Sequence, residues 1–123
     1  MADILVIDDD VQFLQYLNEV LSDEGHKVET ASNGSKGLKM LEEKPFDVLI
    51  TDIFMPEKDG IELLRDLRKT NLEIKIIAIS GGGQNYSPDM ALGVAEMLGT
   101  AKTLNKPFTK KDLLPILDEL LAS

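Results

Sequence analysis

Asp52 ends an apolar run, Phe46 followed by Val48 to Thr51, and opens a loop carrying Met55-Pro56 and then Asp59-Gly60. An apolar run bounded by polar turn residues is the pattern of a strand buried on both faces. A carboxylate at its carboxyl end stands where open parallel sheets bind ligands. Asp also caps turns with no further role, and the remaining strand ends decide between the two uses. Asp8 and Asp9 follow the run Ile4 to Ile7, Ser80 follows Ile74 to Ile79, and Lys106 follows Thr103-Leu104. Parallel strands deliver these ends to one edge. Carboxylates crowded there repel one another unless a cation joins them or their pKa values rise. An all-oxygen acidic pocket suits Mg²⁺, which takes one or two carboxylates, waters and phosphate oxygens in octahedral geometry. Lys106 adds a point charge and Ser80 a hydroxyl donor. Metal, ammonium and hydroxyl around a carboxylate are what phosphoryl transfer needs, because that chemistry is mostly positioning and charge stabilisation. Asp52 is then a nucleophile forming an acyl phosphate.

Each residue alone has a plainer use. Asp10 reads as an N-cap, Ser80 as a turn residue and Lys106 as a solvated charge. His26, at the start of the second strand and away from the acidic edge, reads as structural or solvated, since one His without partners makes no site. Joint placement at the strand ends is what favours chemistry.

The elements that must position these groups follow in order along the chain. Leu14, Leu17 and Leu21 recur at helical spacing and Gly25 stands where that helix ends. His26 to Ala31 reads as a second strand, Asn33-Gly34 as a turn, and Leu38, Met40 and Leu41 as a second helix broken by Pro45. Ile61, Leu64 and Leu67 mark a third helix after the central strand, and Lys75 interrupts the otherwise apolar fourth strand. Gly81 to Gly83 opens a loop up to Ser87-Pro88, which starts a fourth helix through Leu92, Ala95 and Leu98, weakened by Gly93 and ended by Gly99. Thr109 caps a last helix carrying Leu113, Leu114, Leu117, Leu120 and Leu121, in which Pro115 should delete one backbone bond and bend the axis. Alternating strands and helices of this kind predict an α/β fold: a doubly wound parallel sheet with right-handed crossovers.

The 123 residues suit one domain, and 43% apolar and 28% charged content is ordinary for a globular chain. A net charge of −9 argues against a nucleic-acid surface and against an anionic membrane. The chain has no cysteine, hence no disulfide framework or thiolate chemistry. MADILVIDDD is too short and wrongly flanked for a signal peptide, and no run approaches the ~20 apolar residues of a membrane span. A cytoplasmic domain is expected.

Asp8-Asp9, the Asp52…Met55-Pro56…Asp59-Gly60 loop, Ser80 and Lys106-Pro107-Phe108 together resemble the receiver domain of two-component response regulators, over essentially the whole chain. The resemblance implies a flavodoxin-like five-stranded sheet of order 2-1-3-4-5 with five helices, as a single receiver domain over residues 1–123. It implies phosphorylation of Asp52 by a phosphohistidine on a sensor histidine kinase or histidine phosphotransfer protein. It also implies Mg²⁺ held by Asp9, Asp52 and the backbone carbonyl of Phe54, with Asp8 acting largely through water. Lys106 would bridge to the phosphoryl group and Ser80 would move to bond it. A cis bond between Lys106 and Pro107 is implied too. No effector segment follows Phe108 beyond the final helix, so output is expected through a downstream protein, from a monomer or a phosphorylation-linked dimer.

Departures from the family pattern concern the switch. Thr103 stands where the family carries an aromatic residue, so coupling of Ser80 to a large ring does not carry over. Gly82, two residues past Ser80, has no side chain to shape water access. Phe54, two past Asp52, is bulky and apolar and is expected to shield the acyl phosphate from water. Rival readings are a phosphohydrolase with Asp8 as nucleophile and Asp10 as acid, a flavin carrier, and a phosphorylation-independent adaptor on the same fold. The first lacks a cap insert and a later acidic motif. The second is opposed by the acidic loop, which would repel a cofactor phosphate. The intact acidic set argues against the third, and Thr103 argues for it.

Overall fold

A computed structural model of the chain describes residues 1–52, 74–80 and 102–122. Strands β1 (Asp3–Ile7), β2 (Lys27–Ala31), β3 (Val48–Asp52), β4 (Lys75–Ser80) and β5 (Lys102–Asn105) form one sheet in the order β2-β1-β3-β4-β5. Every pairing is parallel. This is the doubly wound order that the resemblance implies. The described helices are α1 (Val11–Asp23), α2 (Gly34–Glu43) and a C-terminal helix (Lys110–Ala122). The helices expected around Ile61 to Leu67 and Leu92 to Leu98, with Phe54, Met55-Pro56, Asp59-Gly60, Gly81 to Gly83 and Ser87-Pro88, lie outside the described residues.

β3 is buried along its whole length because β1 and β4 flank it and helices cover both faces. Its residues sort by the two-residue period of a strand. Leu49 faces α2 together with Leu5, Ile7, Leu41, Ile76 and Ala78. Val48 and Ile50 face Leu14, Leu17 and Leu21 of α1 and Leu113, Leu117 and Leu120 of the C-terminal helix. Each such side chain, fully buried, contributes about 1.5–3 kcal/mol. β2 and β5, at the margins, carry half-exposed residues.

The helix ends explain how the chain turns so tightly onto the sheet. Gly25 adopts φ 90°, and its N–H and that of His26 donate to the carbonyls of Ser22 and Leu21, closing α1 in a Schellman arrangement. Asn33, expected in a turn, caps α2 instead, its Oδ1 accepting from Lys36 N at 2.8 Å. Thr109 begins the C-terminal helix, with Asp112 Oδ2 reaching back to its N–H at 3.0 Å, half of a capping box. Pro115 lies inside that helix on the exposed side, and Lys111, one turn earlier, is exposed too. α2 approaches the sheet closely: a Cβ on Gly37 would fall 2.1 Å from Cδ1 of Ile7, so any other residue there requires the Ile7 side chain to shift. His26 precedes β2, its Nδ1 accepting from Ala2 N at 3.1 Å, a structural use far from the acidic edge.

Candidate functional site

Register brings the acidic residues together. Ile7 pairs with Thr51 across β1 and β3, so the next residues, Asp8 and Asp52, emerge side by side. Asp52 is still part of β3, paired with Ile79 of β4. Strand pairing therefore sets its backbone more firmly than a loop would. Its neighbour Thr51 is buried and donates its hydroxyl to the Asp52 carbonyl at 3.0 Å.

Asp8 is fully buried, and both its oxygens are bonded. Oδ1 accepts from Asp10 N at 2.9 Å and Oδ2 from Lys106 Nζ at 2.8 Å. The first bond folds the chain into an Asx turn that hands over to α1. Asp10 then caps α1, its Oδ1 accepting from Gln12 N and Phe13 N at 3.1 and 3.3 Å. Asp9, between them, is exposed. Carboxylate oxygens of Asp8, Asp9 and Asp52 all lie within 4.8 Å of one another. That cluster is acidic, oxygen-only and open on the Asp9 side, which fits a hard divalent cation that keeps several waters.

Lys106 reaches this cluster from the end of β5. Its ammonium stands 2.8 Å from Asp8 Oδ2 and 3.5 Å from Asp52 Oδ2. It also lies 4.2 Å from the centroid of the Phe13 ring, which meets Phe108 edge-on at 5.5 Å and 87°. The Lys106–Pro107 peptide is cis. Burial pushes the Asp8 carboxyl above its ordinary value and outweighs the Lys106 and Asp10 hydrogen bonds, which act the other way. Burial alone would lower the Lys106 ammonium, but the bond to Asp8 and the charges of Asp8 and Asp52 prevail and hold it above the usual lysine value.

Of the residues singled out in the sequence, Asp8, Asp9, Asp52 and Lys106 meet in one cluster. Ser80 ends β4 opposite Asn105, on the same edge; only its backbone is described. Thr103 lies half-buried on β5, paired with Ala78. Phe54 and Gly82 lie outside the described residues. Phe13 went unnoticed in the sequence. It sits one place off the Leu14, Leu17, Leu21 stripe, and its neighbour Lys106 is remote along the chain.

The described strand ends of a doubly wound sheet thus gather three carboxylates, two of them in contact with a lysine, at the edge where such sheets bind ligands. Comparison with known proteins sharpens this. The "Response regulator receiver domain" family pattern matches residues 4–118, and the chain belongs to that family. The chain is 35% identical over 122 residues to the response regulator receiver protein CpdR of Brucella abortus, covering 98% of both. It is 32% identical over 121 residues to the transcriptional regulatory protein CpxR homolog of Haemophilus influenzae, where 98% of this chain spans 51% of that protein. The crystal structure of a response regulator receiver domain protein from Clostridium thermocellum superposes with a TM-score of 0.87 at 34% identity, covering 99% of this chain and 95% of that one. Receiver domains of this family act as phosphoacceptors between histidine kinases or phosphotransfer proteins and downstream targets.

Proposed function

We propose that the chain is a phosphorylation-dependent signalling switch in which Asp52 accepts a phosphoryl group from a phosphohistidine on a sensor histidine kinase or phosphotransfer protein. The observation that carries this is the Lys106 ammonium held between Asp8 and Asp52, with Asp9 in reach of both carboxylates. A carboxylate oxygen of Asp52 bonds to phosphorus while the phosphorus–nitrogen bond breaks and the imidazole leaves with the electron pair. Lys106 neutralises charge on the phosphoryl oxygens, a step that needs only an exchange of its acceptor from Asp52 to phosphate. Asp9 and Asp52, with the Phe54 carbonyl and with Asp8 through water, would hold Mg²⁺. When bound, Mg²⁺ neutralises the acidic cluster and orients phosphoryl oxygens. Ser80 bonds the transferred group, Phe54 and Gly82 govern water's access to it, and Thr103 transmits the change without an aromatic ring. Output passes to a partner protein, from a monomer or a phosphorylation-linked dimer in the cytoplasm. Among the described residues no helix is long and apolar enough to cross a membrane.

The phosphohydrolase alternative loses support from the same contacts. Asp8, its nucleophile, is buried with both oxygens bonded, and Asp10, its acid, is committed to capping α1. Incubation with Mg²⁺ and a small acyl phosphate, followed by intact-mass measurement and peptide mapping, tests the proposal. One phosphoryl group on Asp52, lost in Asp52→Asn and without Mg²⁺, is the expected result. Labelling at Asp8, or none, overturns it.

A further inference from the structure

Lys106 has a third neighbour that the acidic cluster does not explain. An ammonium carries three N–H donors; here Asp8 Oδ2 takes one at 2.8 Å and Asp52 Oδ2 lies at 3.5 Å. Among the described residues the next neighbour is the face of Phe13, 4.2 Å from the nitrogen. We propose that Phe13 is a positioning residue for Lys106: its ring face holds the ammonium against the two carboxylates and so aims it at the oxygen that receives phosphorus.

Physical character supports an aromatic ring in that place. Its face carries partial negative charge and attracts the cation, yet offers no lone pair that could compete with a phosphoryl oxygen. Water, by contrast, would solvate the ammonium and let the long side chain swing. An aliphatic residue would exclude water without attracting charge. The ring is itself fixed from two directions. Its backbone N–H is bonded to Asp10 Oδ1, and Asp10 N–H to Asp8 Oδ1, so ring and carboxylate belong to one turn. On the other side Phe108, two residues past Lys106, meets the ring edge-on at 5.5 Å. A closed circuit results: Asp8, the cap, Phe13, Lys106 and back to Asp8. Phosphorylation would change one acceptor of the ammonium while the ring keeps its hold. A plainer use of Phe13 is as filler between α1 and Phe108, and the test separates the two.

The inference rests on Asp52 being the phosphoacceptor, and two readouts keep the ideas apart. The first, in the unphosphorylated chain, is the NMR-measured exchange of the Lys106 ammonium protons with water at fixed pH. Phe13→Leu, and Phe13→trifluorophenylalanine, which keeps the shape but drains the ring's charge, should accelerate exchange by about 3- to 10-fold, and Phe13→Tyr should not. The second is labelling of Asp52 by a small acyl phosphate. The saturating rate should fall by a similar factor in the same two variants, with half-saturating Mg²⁺ unchanged. Wild-type exchange in the fluorinated protein overturns the proposal, whether or not Phe13→Leu folds. Faster exchange with unaltered labelling overturns it too. Faster exchange with no labelling of any variant, wild type included, removes the phosphoacceptor reading and with it the positioning role.

Discussion

The two ends of the sheet use charge in opposite ways. At the amino ends Asp47, His26 and Lys75 each bond a backbone group of another element. Asp47 Oδ2 accepts from Asp3 N at 2.8 Å, His26 Nδ1 accepts from Ala2 N, and Lys75 donates to the Leu120 carbonyl in the last turn of the C-terminal helix. These contacts satisfy backbone groups that strand and helix ends leave open. At the carboxyl ends three carboxylates crowd within 4.8 Å, and the ammonium of Lys106 stands between two of them. Burying like charges together costs stability unless something joins them. One end is therefore built to close the fold, and the other keeps charge in store for a ligand.

The contrast can be tested most strongly through its two lysines. Lys106→Met leaves Asp8 buried without its cation and should cost about 3 kcal/mol in urea unfolding. Lys75→Met removes the bond to the Leu120 carbonyl at the other end and should cost about 1 kcal/mol. Equal losses would mean that the two ends are energetically alike. A smaller effect comes from Mg²⁺. At ten times its dissociation constant it should stabilise the chain by about 1.4 kcal/mol, an increment lost in Asp9→Asn and kept in Asp47→Asn. The smallest concerns acid. Burial raises Asp8 above 3.8, so the folded chain holds a proton there that the unfolded chain has released. Folded-state proton binding in excess means that stability falls as pH rises through the window from 3.8 to the raised value. In metal-free protein the stability of wild type relative to Asp8→Asn should decline across that window, and a rise would reverse the assigned sign.

Much of this was legible because its signals are local. Apolar runs rich in Val and Ile mark buried strands, and charges at their ends converge once the sheet is parallel. Gly25 and Thr109 announced helix ends through backbone needs that few other residues meet as well. What escaped depended on partners far along the chain. Lys75 read as an interruption of β4 because its acceptor, Leu120, lies at the far end of the sequence. Phe13 went unnoticed because Lys106 arrives only when β5 takes its place at the sheet margin. Asn33 looked like a turn because capping and turning draw on the same side-chain oxygen.

The contact between Gly37 and Ile7 reaches further than packing. Ile7 is the residue immediately before Asp8, and α2 rests its backbone almost directly on that side chain. A single methyl group at position 37 would have to push the Ile7 side chain aside, one residue before the carboxylate of Asp8. Directly behind the acidic cluster the sheet therefore has almost no room to give, and Gly37→Ala should cost stability although no residue of the cluster changes.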